Sequence, residues 1–279
     1  MHDKTVVITG ATAGSGQVAA EALARLGARV VFTARDAARG RATLDRLVRA
    51  NPDAAHDWVQ ADLSTLAAMK AASQALAGKV ARIDVLINNA GAIFERREVT
   101  ADGLEMTFAV NHMAYFVVTE ELRPRLAPDA RIVSTASNAH AFGGALDFDD
   151  LQSAKRYSGM TAYARSKLCN ILWTRELARR LSGSEVTANC LHPGAVRTGF
   201  GENNNGLLKA VFGLVRPFML KPAQGADTLI YLASSPDVAG RSGGYWARRR
   251  LVQPSVAARD PAAALRLWEV SERVAAVTV

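Results

Sequence analysis

Thr5-Val-Val-Ile-Thr9-Gly10-Ala-Thr-Ala-Gly14-Ser-Gly16 sets a β-branched run directly before three glycines spaced G-x-x-x-G-x-G. The next stretch, 17–26, is rich in alanine, apolar at helical spacing, and stopped by Gly27. Strand, glycine turn and helix in that order form the corner where an open α/β sheet can take a pyrophosphate. Glycine lets the backbone turn tightly and approach the phosphates, and the first N–H groups of the helix meet their charge. The spacing departs from the common G-x-G-x-x-G fingerprint, and a glycine-rich turn by itself is equally compatible with a purely structural turn. Its position at the first strand–helix junction gives it weight.

Outward from that corner the same alternation continues. Strands are expected at 29–33, 56–61, 84–88, 131–135 and 185–191, with helices at about 37–50, 66–77, 106–122 and 157–181. The strands are apolar on both faces, as in a parallel sheet covered on both sides by helices. Right-handed crossovers then give an α/β fold, a Rossmann-type doubly wound parallel sheet with helices on both faces. No repeat, low-complexity segment or linker interrupts the chain, so 1–279 reads as a single domain.

Composition narrows the function classes. Of 279 residues, 49% are hydrophobic and 22% charged, enough to bury an ordinary globular core. The net charge of +8 invites a nucleic-acid reading, yet the basic residues are dispersed and the densest run is only Arg248 to Arg250. No nucleic-acid partner is expected; a basic surface equally suits a polyanionic cofactor, by steering. The two cysteines, Cys169 and Cys190, have no metal-ligand spacing and read as buried thiols in a reducing compartment. No metal is expected. The apolar run at 5–9 is too short to cross a bilayer, and 211–220 is broken by Gly213, Arg216 and Pro217, so neither signal peptide nor span is read and a soluble cytoplasmic protein is expected.

Three further positions carry chemistry. After the second strand, an acid would bond a ribose 2′-hydroxyl and an arginine would accommodate a 2′-phosphate; the chain has Arg35, with Asp36 placed to cap the next helix. Tyr163 and Lys167 share one helix face at i, i+4, and a nearby ammonium should lower a phenol's pKa enough to make it a usable acid or base. Ser134-Thr-Ala-Ser137 closes the preceding strand at the carboxyl edge, where such sheets bind ligands. Taken singly, each has an ordinary explanation: a solvated charge, an exposed helix pair and a strand-ending turn.

Together the pieces resemble the short-chain dehydrogenase/reductase family over almost the whole chain. The matching elements are Thr9-Gly10-x-x-x-Gly14-x-Gly16, Asp62-Leu63, Asn88-Asn89-Ala90-Gly91, Asn111, Ser137, Tyr163 with Lys167, and His192-Pro193-Gly194. Arg35, the stretch from Asn111 to Phe116, Leu191 to Thr198 and 245–271 look most like the retinol-dehydrogenase-like branch. The resemblance implies an NADP(H)-dependent oxidoreductase, with NADP(H) favoured over NAD(H) because of Arg35. It implies Tyr163 as proton donor or acceptor, Lys167 on the nicotinamide ribose, Ser137 on the substrate oxygen and Asn111 holding a water that relays protons from Lys167. Gly10, Thr12, Ser15, Gly16, Arg35, Asp62, Leu63, Asn89, Ala90, Gly91, Pro193, Gly194, Val196 and Thr198, with Tyr163 and Lys167, would line the cofactor.

Departures from the family pattern are Ser15 in place of isoleucine, Ala13 where some NADP-preferring members carry a second basic residue, and Ala136 in place of a serine. The expected reaction is hydride transfer between nicotinamide and a carbonyl or alcohol of a hydrophobic small molecule. A substrate lid is expected at about 200–222, with further contacts from 139–160. His192 is expected to shape its turn and His140 to lie within reach of substrate, neither with an evident partner. Relatives frequently pair through the helices flanking the catalytic strand, so the resemblance points to a homodimer or homotetramer. Two other classes compete: a non-catalytic NADP(H)-binding redox sensor, which would commonly lose the tyrosine–lysine pair, and an epimerase or dehydratase, which usually has a longer chain with a separate substrate lobe.

Overall fold

Residues 1–194 and 220–276 are described by the computed structural model. The first half alternates β1 (Thr5–Thr9), α1 (Gly14–Arg25), β2 (Arg29–Ala34), α2 (Ala37–Ala50), β3 (Asp57–Gln60), α3 (Leu66–Lys79) and β4 (Ile83–Asn88). The second half holds α4 (Met106–Phe108), a π-helical turn at Ala109–Met113, α5 (Ala114–Leu122), β5 (Leu126–Thr135), α6 (Gly159–Arg180) and β6 (Thr187–His192). It continues with α7 (Pro222–Ser234), β7 (Tyr245–Ala247), β8 (Arg250–Leu251) and α8 (Pro261–Ala276).

The eight strands form one sheet in the order β3-β2-β1-β4-β5-β6-β7-β8. Strands β1 to β7 are parallel, and the two-residue β8 folds back antiparallel on β7. This is the doubly wound order expected from the alternation, extended by strands too short for periodicity to reveal. The chain reverses direction across the sheet between β1 and β4, which opens a crevice at the carboxyl ends of the strands.

Alternation within each strand divides the core in two. Val6, Ile8, Val30, Phe32, Val85 and Ile87 join one apolar cluster with residues of α1 and α7, whereas Val7, Val31 and Leu86 join a second with residues of α3, α5 and α6. Successive side chains of a strand point to opposite faces, so a strand covered on both is buried at every position, as β4 is; its two polar residues are bonded, Asp84 accepting from Thr5 N at 2.8 Å and Asn88 Nδ2 donating to Thr119 Oγ1 at 2.9 Å. Helix α8 lies outside α6. Its buried Trp268 meets Phe116 edge-on at 5.1 Å, and the Arg180 guanidinium lies over the indole at 4.3 Å. Both cysteines are buried free thiols, as expected from their apolar surroundings.

Where the sequence suggests one helix over 106–122, the structure has a π turn at Ala109–Met113. A π turn leaves no periodic signature, because it inserts a single residue into an otherwise helical run. The strand expected at 56–61 is shorter, for the His56 ring turns inward and its Nδ1 accepts a hydrogen bond from the Val30 N–H at 3.0 Å.

Candidate active site

The first wall of the crevice is backbone. Gly10 has φ +71°, and a Cβ there would lie 2.7 Å from Ala90 Cα, so only glycine lets the β1 turn close on the β4 turn. The same approach is held by Thr9, whose Oγ1 accepts from Asn89 N at 3.0 Å and Ala90 N at 3.2 Å. Asn89 Nδ2 donates to Gly10 O at 2.8 Å, and Thr135 Oγ1 donates to Asn89 Oδ1 at 3.3 Å. A Cβ on Gly16 would run into the Asn89 amide and the Gly10 carbonyl. Helix α1 begins after Ala13 with no side-chain cap, which leaves its first N–H groups available to an anion. Thr12 is half-buried on this loop and Ser15 is buried in the first turn. A cradle that any side chain would fill, facing an uncapped helix terminus, fits a pyrophosphate.

At the end of β2, Arg35 is exposed and its guanidinium makes no hydrogen bond or ion pair among the described residues. Asp36 does cap α2, accepting from Arg39 N at 2.8 Å, as expected. Asp62 is exposed at the neighbouring strand end and accepts from Ser64 N at 3.1 Å, with Leu63 buried beside it. Ala13, in the turn before α1, adds no basic group, so Arg35 is the cation that this departure from the family pattern leaves for the cofactor.

The second wall is made of side chains. Ser137 lies two residues past the end of β5 and caps a 3₁₀ turn at Asn138–Phe142, its Oγ accepting from Ala139 N at 3.1 Å. Tyr163 and Lys167 project from one face of α6. Lys167, 2% exposed, donates to Thr135 O at 3.1 Å and sits 5.6 Å from the Tyr163 ring centre and 5.5 Å from that of Tyr115. The same Thr135 carbonyl accepts from Asn170 Nδ2 at 3.3 Å and from Tyr115 OH at 3.5 Å. Asn170 and Tyr115 were not picked out from sequence; Asn170 lies one turn beyond Lys167 on α6, and Tyr115 becomes visible only through packing.

Electrostatics here differ from the expectation. Burial pushes the Tyr163 phenol up to about 12, opposed by a hydrogen bond with Ser137, and pushes the Lys167 ammonium down to about 7. In the protein alone burial outweighs any acidifying effect of the lysine on the phenol, because desolvation disfavours the charged form of both groups. Among the described residues Lys167 has no carboxylate partner and donates a single hydrogen bond, to Thr135 O.

Asn111 sits in the π turn, fully buried. Its Oδ1 accepts from Ala92 N at 2.8 Å, and its Nδ2 donates to Ala92 O and to Ser166 Oγ, both at 2.9 Å. The side chain thus clamps the β4 loop to α6 beside Lys167. Gly91 forms the floor between them: a Cβ there would lie 3.1 Å from Asn111 Oδ1 and 3.4 Å from Lys167 Nζ.

Pro193 and Gly194 follow β6 at the same edge, Gly194 with φ +90°. Val196, Thr198 and nearly all of the lid at 200–222 lie outside the described residues. The two histidines said to lack partners have them. His192 Nδ1 accepts from Asn138 N at 3.2 Å, and buried His140 bonds Ser137 O at 2.7 Å and Ser255 N at 3.0 Å. Among the described residues no cluster could hold a metal ion, and no helix is long and apolar enough to cross a membrane.

Comparison with known proteins assigns the family. The family profile described as short chain dehydrogenase matches residues 4–206. The chain belongs to the short-chain dehydrogenase family. Human retinol dehydrogenase 14 is 42% identical over 290 aligned residues, covering 98% of this chain and 86% of its own. An uncharacterized protein from Mycobacterium paratuberculosis has a crystal structure that superposes with a TM-score of 0.78 at 32% identity, over 99% of this chain and 94% of its own. A short-chain dehydrogenase from Burkholderia cenocepacia, solved in complex with NADP, has a TM-score of 0.69 at 27% identity, over 88% of this chain and 95% of its own. As a short-chain dehydrogenase this protein is an oxidoreductase.

Proposed function

We propose that the protein reduces a carbonyl, or oxidises the corresponding alcohol, of an apolar small molecule with NADP(H) as the hydride carrier. The observation that carries this reading is the convergence of Ser137, Tyr163 and Lys167 on the same sheet edge as the side-chain-free cradle at Gly10 and Gly16. The cradle and the N-terminus of α1 would hold the pyrophosphate, Arg35 the 2′-phosphate, and the unengaged donors of Lys167 the nicotinamide ribose. The NADP bound by the Burkholderia relative supports the same cofactor here. When bound, the nicotinamide supplies the hydride or takes it up.

The chain's own residues handle the proton. In reduction, Tyr163 gives its hydroxyl proton to the substrate oxygen while Ser137 holds that oxygen by a hydrogen bond. A phenol near 12 is protonated at neutral pH, the form that reduction requires. Oxidation requires the phenolate, which Lys167 stabilises when it carries its proton. Phe142, 82% exposed in the turn that follows Ser137, and Met160, 43% exposed one turn before Tyr163, add exposed apolar surface to the two elements that carry those residues. Retinol, in the name of the human relative, is an apolar alcohol of this class. NADPH oxidation should be followed with retinal, decanal and aromatic ketones. Tyr163→Phe should lower kcat by about 10²–10⁴-fold while NADPH binding persists, the usual share of a general acid. A folded variant with near-normal turnover would refute the assignment.

A further inference from the structure

We propose that His140 is a positioning residue that fixes Ser137 for the reaction and ties it to the C-terminal segment of the chain. This rests on the reading of Ser137 as the group that holds the substrate oxygen. His140 is 3% exposed, and its bonding partners determine its proton. Nδ1 faces the Ser137 carbonyl at 2.7 Å, so it must carry the hydrogen; Nε2 faces the Ser255 N–H at 3.0 Å, so it must be the acceptor. The ring is therefore one neutral tautomer, wedged between two backbone groups 118 residues apart in sequence, at positions 137 and 255.

Around this wedge the turn after β5 is held from three distant segments. Tyr245 meets the His140 ring edge-on at 5.2 Å, and its hydroxyl donates to Asn138 Oδ1 at 2.7 Å. Asn138 N donates to His192 Nδ1 at 3.2 Å. The Ser137 carbonyl accepts from both the His140 backbone N–H, at 3.1 Å, and His140 Nδ1. With the Ser137 carbonyl doubly held and its Oγ accepting from Ala139 N, the hydroxyl's remaining freedom is the direction of its own hydrogen, toward Tyr163 and substrate. A misplacement of about 1 Å in such a group can cost about 10²-fold in rate. The nucleotide cradle lies at the β1–α1 corner, and none of these contacts involves it.

Two isosteric halves of the ring separate the roles. His140→Asn keeps a donor at the Nδ1 position and loses the distal acceptor; His140→Gln keeps a distal acceptor and loses the proximal donor. His140→Ala loses both. With NADPH and the best carbonyl from the screen above, kcat should fall about 100-fold in the Ala and Gln variants and less than about tenfold in the Asn variant. The NADPH Kd, read by fluorescence, should stay within about twofold in all three, because the cradle is untouched. In a Ser137→Ala background, His140→Ala should cost nothing further, since its effect runs through Ser137. Equal losses in Asn and Gln, or a full additional loss in the Ser137→Ala background, would overturn the proposal and leave the reading of the site intact. A Ser137→Ala protein as active as wild type would instead overturn that reading. Should His140→Ala not fold, the Asn and Gln variants, each keeping one bond, decide the matter.

Discussion

At the β1–α1 corner the crevice is walled by main chain, and the contacts that hold it link the ends of β1, β2, β4 and β5. At the β5–α6 corner it is walled by side chains whose protonation depends on burial, and whose placement depends on segments near positions 192, 245 and 255. On the proposed reading the first corner recognises a shape and a charge, and the second moves a proton. Backbone groups cannot change protonation, so the acid and its neighbours had to be side chains, and buried ones are tuned by the whole fold rather than by sequence neighbours.

Lys167 touches both functions, and replacing it tests the division most severely. Lys167→Met should lower kcat by about 10²–10³-fold and also weaken NADPH binding, since both the phenolate and the ribose lose their cation. A loss confined to binding would remove Lys167 from the proton chemistry. Gly16→Ala confines the damage to the first corner. Its methyl must displace the Asn89 amide or the Gly10 carbonyl, an overpacking cost of about 1–3 kcal/mol, or roughly 5–150-fold in NADPH Kd, with kcat at saturation nearly unchanged. Titration by NADPH fluorescence alongside saturation kinetics reads both quantities. Arg35→Ala should weaken NADPH about tenfold or more and leave NADH unaffected, as one charge-assisted contact contributes about 1.5–3 kcal/mol. Equal losses for the two cofactors would show that Arg35 does not meet a 2′-phosphate.

The smallest effect concerns the packing behind the second corner. Burial presses His112 down to about 3, and His56, His140 and His192 are lowered as well. Between about 6.5 and the depressed values the unfolded chain binds protons that the folded chain refuses, so stability is greatest above pH 6.5 and falls as the pH drops. Each such histidine contributes a slope of at most about 1.4 kcal/mol per pH unit. His112→Gln keeps a side chain able to meet Ser271 and should flatten that slope by one group's share. Urea midpoints at neutral pH and near pH 5 measure it; an unchanged slope would show that His112 is not refused its proton.

Much of this was legible before any coordinates. The strand–glycine–helix opening, the alternation of elements and the position of Tyr163 and Lys167 on one helix face all follow from short-range pattern. The Asp36 cap is equally local. The π turn that turns Asn111 toward Ala92 and Ser166 was not legible, nor were β7, β8 and the partners of His140 and His192. A two- or three-residue strand has no period to read, and the His140 contact with Ser255 spans too much chain for any motif to report. The phenol's pKa is raised where the helix pair alone suggests a lowered one, for a related reason. Sequence shows that a lysine is near the tyrosine, but only the fold shows that both are dry.

By itself, then, the sequence determined the handed sheet, the glycine cradle and the shared helix face of Tyr163 and Lys167, because each depends on backbone conformation or spacing within a few residues. The tertiary structure decided which of those groups are buried, which tautomer His140 holds, and what braces Ser137. Those depend on desolvation and on contacts between distant segments, and neither exists until the chain has closed around its core.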